Sequence, residues 1–158
     1  MKKKRIWTAV TLLYVLFIFS NSMKPAEVSS ADSGWVLRMA QESFVSMGIS
    51  TGWLTEHFIR KTGHFSEYTL LGILLYGCVG AYGFPKERKY FIRLTAGFMV
   101  PFVDETIQLM VRGRSGQISD VWLDCGGVAF GLFAAALLSR YIRTEYKHDK
   151  KLSNGSGI

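Results

Sequence analysis

The sequence predicts an all-α integral membrane protein with four transmembrane helices and an outward-facing amphipathic segment between the first two. Three observations predict it. Four apolar windows approach the roughly 20 residues that a helix needs to cross hydrocarbon. Most basic residues lie between those windows. Ionisable residues fall inside three of the windows, where they must face protein or water.

The chain has 158 residues, which fits one domain, here drawn over 1–148. Nearly half of it is apolar, and its formal charge is +7. In a soluble protein that charge would suggest nucleic acid. Here the basic residues flank apolar runs, as membrane anchors do. No nucleic-acid motif is present, and the expected partners begin with membrane lipids. Cys78 and Cys125 lie in apolar runs without metal-ligand spacing, and read as free thiols in a core.

The first window, 6–22, carries no charge. Its basic start at Lys2, Lys3, Lys4 and Arg5 resembles a signal peptide, and Ser29-Ser30-Ala31 resembles a cleavage site. That site lies far beyond the apolar run, so the reading is a retained anchor. Residues 23–61 form the longest connection. Ser33 is a candidate helix cap. After it, Trp35, Val36, Met39, Ala40, Phe44 and Met47 recur at helical spacing, as on a surface helix. Trp53, Phe58 and Ile59 suggest a second interfacial stretch.

The second window covers 62–82, and Gly83-Phe84-Pro85-Lys86 signals a turn. The third covers 91–111. A short loop makes it an antiparallel neighbour of the fourth, 119–141. The charged tail, 149–158, reads as disordered and cytoplasmic. Of the 19 Lys and Arg residues, thirteen lie within Lys2–Arg5, Lys86–Arg93 and from Arg140 onward. The other six are Lys24, Arg38, Arg60, Lys61, Arg112 and Arg114. Positive residues favour the cytoplasm, so the expectation is a multi-pass cell-membrane protein with both termini inside.

The polar residues within the windows point to function. The second holds His64, Glu67 and Tyr68; the third holds Asp104, Glu105 and Gln108; the fourth holds Asp120 and Asp124. A charge at the bilayer centre costs at least ~2.5–3.5 kcal/mol. At 1.5 Å per residue, Glu67, Asp104, Glu105 and Asp124 all lie about 7–10 Å below the outer ends of their helices. His64 shares a helix face with Glu67 and Tyr68, Asp104 with Gln108, and Asp120 with Asp124. Pro101, one turn before the acidic pair, should free a backbone carbonyl. Gly127 and Gly131 form a GxxxG that permits close helix approach.

Five acidic groups in one dry layer cannot all remain ionised without partners. Four chemistries fit them. One is a buried ion-pair network using Arg114 or Lys61. Another is a divalent-cation site of His64, Glu67, Glu105 and Asp120. A third is acid/base catalysis on a lipid-linked substrate, with Arg holding an anionic group. The last is binding or transport, with Arg60, Lys61, Arg112 and Arg114 forming a basic rim over an acidic pocket.

These residues carry a resemblance. The segments Arg60-Lys61-Thr62-Gly63-His64-Phe65-Ser66-Glu67-Tyr68, Asp104-Glu105-Thr106-Ile107-Gln108, Arg112-Gly113-Arg114, Asp120-Val121 and Asp124-Cys125-Gly126-Gly127, in that order, resemble the VanZ-like family of bacterial membrane proteins. Ser20 and Ser22 also look like the family's. The likeness runs from Ile6 to Arg140. Relatives often hold Asn where this chain has Asp124.

The resemblance implies a cell-envelope protein of Gram-positive-type bacteria, linked to low-level resistance to teicoplanin, a glycopeptide with a lipid tail. The expected ligand is a lipid-linked cell-wall molecule or the lipoglycopeptide itself. His64, Glu67, Asp104 and Glu105 are the expected reactive centre. Lys61, Tyr68, Gln108, Arg114, Asp120 and Asp124 are expected to bind and orient the ligand.

Overall fold

The computed structural model describes residues 2–114 and 116–155, with side chains as far as Tyr146. Five α-helices account for its regular structure, and the described residues hold no strand. They are α1 (Lys2–Ser22), α2 (Ala26–Ser46), α3 (Glu56–Gly80), α4 (Lys86–Leu109) and α5 (Ile118–Gly155).

The all-α expectation holds, and helix boundaries move outward. α2 begins just after Pro25, eight residues before the expected start. Ser33 therefore lies inside the helix. Its hydroxyl donates to the Ser29 carbonyl, one turn back, and caps nothing. α3 begins six residues before the apolar window, because Thr55 Oγ1 accepts from the Phe58 amide and caps it. Arg60 and Lys61 thus ride on the first turns of α3. The tail expected to be disordered meets a helical backbone as far as Gly155; residues 156–158 lie outside the described residues.

α3 is the hub, touching each of the other four helices. Its tightest neighbour is α5, for a reason readable in side-chain size. A Cβ on Gly127 would lie 2.6 Å from the Phe65 carbonyl oxygen. One on Gly131 would strike the Thr69 carbonyl, and one on Gly72 would strike the Val128 carbonyl. Three glycines thus let two backbones meet, and the GxxxG of α5 is used. Around this seam Ile18, Tyr68, Leu71, Leu75 and Val128 form the buried core.

Helix direction follows from end-to-end contacts. The start of α1 meets the end of α3: Thr8 Oγ1 lies 2.8 Å from the Tyr82 hydroxyl, and Lys4 sits over the Tyr82 ring. The far end of α1 meets the first half of α3 and the second half of α4, through Asn21–Glu67 and Ser22–Asp104. α1 and α4 therefore run one way, and α3 and α5 the other.

Pro101 stays inside α4 and is buried. Having no N–H, it leaves the Gly97 carbonyl without its usual helical donor. The Cys125 thiol, 3.8 Å away on α5, donates to that carbonyl instead. Both cysteines are free and half-buried.

Two helices are long and apolar enough to cross a membrane: Lys2–Ser22, near the N-terminus, and the Ile118–Tyr146 part of α5. Ionisable groups weigh down the hydropathy of α3 and α4. Even so, α4 exposes Phe91, Leu94, Phe98 and Phe102, as α5 exposes Phe130, Phe133 and Leu137.

α2 has no buried residue and packs on α3 alone among the helices. Its far end is tied down by aromatic contacts. Phe44 and Trp53 stand 5.8 Å apart, and Trp53 and Phe58 5.5 Å. The second interfacial stretch is thus the hinge between α2 and α3, folded around the buried Leu54.

Candidate functional site

The site lies at the end of the bundle where α1 and α4 finish and α3 and α5 begin. At its centre are His64 from α3, Asp104 from α4 and Asp124 from α5. One nitrogen or oxygen from each lies within 4.8 Å of the other two. His64 Nδ1 is 3.5 Å from Asp124 Oδ1. The two carboxylates have almost no contact with solvent, at 1% and 0% exposure.

Asp104 is well held. Its Oδ1 accepts from the Ser22 hydroxyl at 2.5 Å, and its Oδ2 accepts from Gln108 Nε2 at 3.1 Å. Gln108 is held in turn, because its Oε1 accepts from Arg114 Nη1 at 3.1 Å. Asp124 is different: neither carboxylate oxygen has a hydrogen-bond donor. Tyr68, fully buried one turn after His64, also leaves its hydroxyl unpartnered.

Arg114 stands in the α4–α5 loop and ties that loop to the end of α1. Its Nε donates to the Lys24 carbonyl and its Nη2 to the Asn21 carbonyl. Gly113, at φ +77°, makes the sharp turn that aims it inward. Burial lowers the Arg114 guanidinium below its ordinary value, nearby Asp104 opposes this, and Arg60 reinforces it. An arginine nonetheless stays a cation at any physiological pH.

Two adjoining cavities open beside this centre and share Ser29, Arg60, His64 and Arg114 in their walls. One, of about 140 Å³, adds Lys61, Asp120 and Gln117. The other, of about 440 Å³, adds Asn21, Glu67 and Val36. α2 forms one wall of both through Ala26 and Ser29, or Ser29, Ser33 and Val36. His64 is the one member of the central trio that reaches the cavities.

The expected residues therefore divide. His64, Tyr68, Asp104, Gln108, Arg114 and Asp124 come together. Glu67 sits on the wall of the larger cavity, where its Oε1 accepts from Asn21 Nδ2 at 3.2 Å. Lys61 and Asp120 pair with each other at the rim. Glu105 lines neither cavity. It points at the α4–α5 loop, where its Oε2 accepts from the Gln117 amide at 3.1 Å. Neighbours in a helix are rotated by about 100°, and Asp104 and Glu105 accordingly leave α4 on different sides. Arg112 is exposed and lines neither cavity. The metal-ligand atoms that meet are those of His64, Asp104 and Asp124. Glu67, Glu105 and Asp120, expected to complete a set with His64, stand outside that group.

Sequence reasoning placed Ser22 only by resemblance, and missed Asn21, Tyr14 and Gln117. The Tyr14 hydroxyl donates to the Glu67 carbonyl from within an apolar run. A signal for Asn21 and Ser22 existed: two polar residues close the first apolar window at the level of Glu67. Ser20, by contrast, is exposed and bonds only within its own helix.

A family model described as VanZ/LLP1 matches residues 7–139. Neither the curated proteins nor the solved structures give a match.

Proposed function

The chain belongs to the VanZ/LLP1 family, and from that premise we propose that it is a multi-pass protein of the cytoplasmic membrane. In this reading α1, α3, α4 and α5 cross the bilayer with both termini inside, and the cavities open at the outer face. There the protein handles a lipid-linked or lipophilic envelope molecule and gives low-level resistance to teicoplanin-type lipoglycopeptides. Alternating helix direction supports four crossings, as does the apolar surface exposed by α1, α4 and α5. The basic clusters at the starts of α1 and α4 support the orientation.

One observation carries the functional reading. Polar side chains from α1, α3, α4, α5 and the α4–α5 loop converge on one buried centre that opens through His64 into the cavities. Arg60, Lys61 and Arg114 at the rim suit a phosphate or carboxylate headgroup. Trp35, Val36 and Met39 on α2 are exposed, which suits a wall lying in the lipid interface.

The test is His64→Ala, expressed in a host lacking the protein. The expected result is teicoplanin sensitivity equal to the empty host, with normal protein level and a monodisperse profile in detergent. Unchanged resistance overturns the reading.

A second reading, a membrane-embedded hydrolase or transferase, is favoured by the imidazole standing between two acids and a cavity. Glu67→Gln separates the two. A catalyst relying on Glu67 loses resistance entirely, whereas a binding protein keeps much of it.

A further inference from the structure

We infer that His64, Asp104 and Asp124 bind a divalent transition-metal cation, of the Zn²⁺ or Mn²⁺ class, at the floor of the cavities. This deepens the reading above and rests on it only for the placement of the cavities at the outer face.

The argument begins with charge. Asp104 and Asp124 are buried side by side, and two such carboxylates cannot both ionise without a counter-charge. Among the described residues no Lys or Arg makes a direct ion pair with either acid, and Arg114 acts on Asp104 only across Gln108. Lys61 pairs with Asp120 and Lys24 with Asp32. The Arg114 donors go to Gln108 Oε1 and to the carbonyls of Asn21 and Lys24, so none reaches either acid. His64 is the sole ionisable base touching them. A buried charge is normally paired or coordinates a metal.

Geometry agrees. Metal bonds of about 2.0–2.2 Å place neighbouring ligand atoms about 3.0–3.5 Å apart. His64 Nδ1 and Asp124 Oδ1 already stand at 3.5 Å. The wider limit of 4.8 Å for the trio closes with side-chain shifts of about 1 Å.

An independent observation points to a ligand. The fully buried Tyr68 hydroxyl, which is not one of the three and lies one turn after His64 on the same helix face, has no hydrogen-bond partner. Neither Asp124 oxygen has a hydrogen bond, with His64 Nδ1 standing 3.5 Å from Oδ1. Asp104 meanwhile has the support that metal-binding carboxylates show. Ser22 and Gln108 fix it, and Arg114 fixes Gln108. One imidazole and two carboxylates suit Zn²⁺ or Mn²⁺ better than Ca²⁺, which prefers six to eight oxygens. His64 lies between the trio and the cavities, so a free coordination position there would meet the headgroup of a bound molecule.

The test uses the full chain in lipid nanodiscs. Elemental analysis should find about one equivalent of metal per chain. Chelation should lower the unfolding temperature by several degrees, and ZnCl₂ or MnCl₂ alone should restore it. Asp124→Asn should lose the metal, and Glu105→Gln should keep it. Metal below about a tenth of an equivalent, with no thermal shift on adding either salt, overturns the inference: the acids then share a proton. The chelation result on the unaltered chain decides even if Asp124→Asn fails to fold. Metal binding without dependence of resistance on His64 would sink only the proposed function. Resistance that needs His64 and Arg114 in a metal-free protein would sink only this inference.

Discussion

The two ends of the helix bundle bury polar groups in opposite ways. At the end where α1 starts, Arg93 donates to the Tyr76 carbonyl at 2.8 Å and lies 4.2 Å from the Tyr76 ring. The Tyr76 hydroxyl meets Ser139 Oγ at 2.7 Å, which joins α3, α4 and α5. One cation, a ring, a carbonyl and two hydroxyls meet there with no acid among them, and one buried donor, Arg93 Nε, stays without a partner. At the other end two acids face a histidine, and four buried oxygens lack a hydrogen bond: both of Asp124, the Tyr68 hydroxyl and Glu105 Oε1. The first arrangement is a clasp. The second gathers buried acids with fewer partners than they can accept, the arrangement on which the proposed site rests.

Substitutions at each end, and in the seam between them, test that contrast. The largest effect belongs to neither end. Gly131→Val, in the seam between them, should destabilise by about 3 kcal/mol or more, because the new side chain meets the Thr69 carbonyl. Thermal unfolding and aggregation in detergent measure it; near-normal stability would mean that α3 and α5 are not packed at backbone contact.

Arg93→Ala should cost about 2 kcal/mol through its charged hydrogen bond and ring contact. Teicoplanin resistance should scale only with the amount of folded protein. Loss of resistance in fully folded Arg93→Ala would move function to the wrong end.

Lys61→Met should be the mildest. Its pair with Asp120 is partly solvated, so stability should change by less than about 1 kcal/mol. Affinity for an anionic lipid headgroup should fall about tenfold, as measured by titration in nanodiscs. An unchanged affinity would remove Lys61 from the binding rim.

The clasp and the site were not equally legible in the sequence. The helices could be read from apolar windows because hydrocarbon-length runs are long and composition-driven. Their starts could not, since Pro25 and Thr55 act locally and polar first turns add nothing to hydropathy. The level of the acids followed from helical rise alone, and so did the shared face of Asp104 and Gln108. Which acids converge did not follow. Rotation about each helix decides it, and the α3–α5 glycine seam sets that rotation. Hence Asp124, read as an orienting residue, became central, while Glu105, read as reactive, turned to cap the loop before α5. The Cys125–Gly97 contact is intermediate. Pro101 announces a freed carbonyl, but only packing names its donor. Arg93 and Tyr76 were invisible as a pair, because single polar residues near helix ends look like ordinary membrane flanks.

The claim that the acid-rich end works while the other end holds is tested most directly by Asp124→Asn, with stability and resistance measured on the same protein. Without metal, and with one of two crowded buried acids removed, the variant should unfold no lower than the chelated, unaltered chain. Teicoplanin resistance should fall to that of the empty host. Normal resistance, or a loss that merely follows a drop in folded protein, would contradict the account and make Asp124 a structural residue like those at the opposite end.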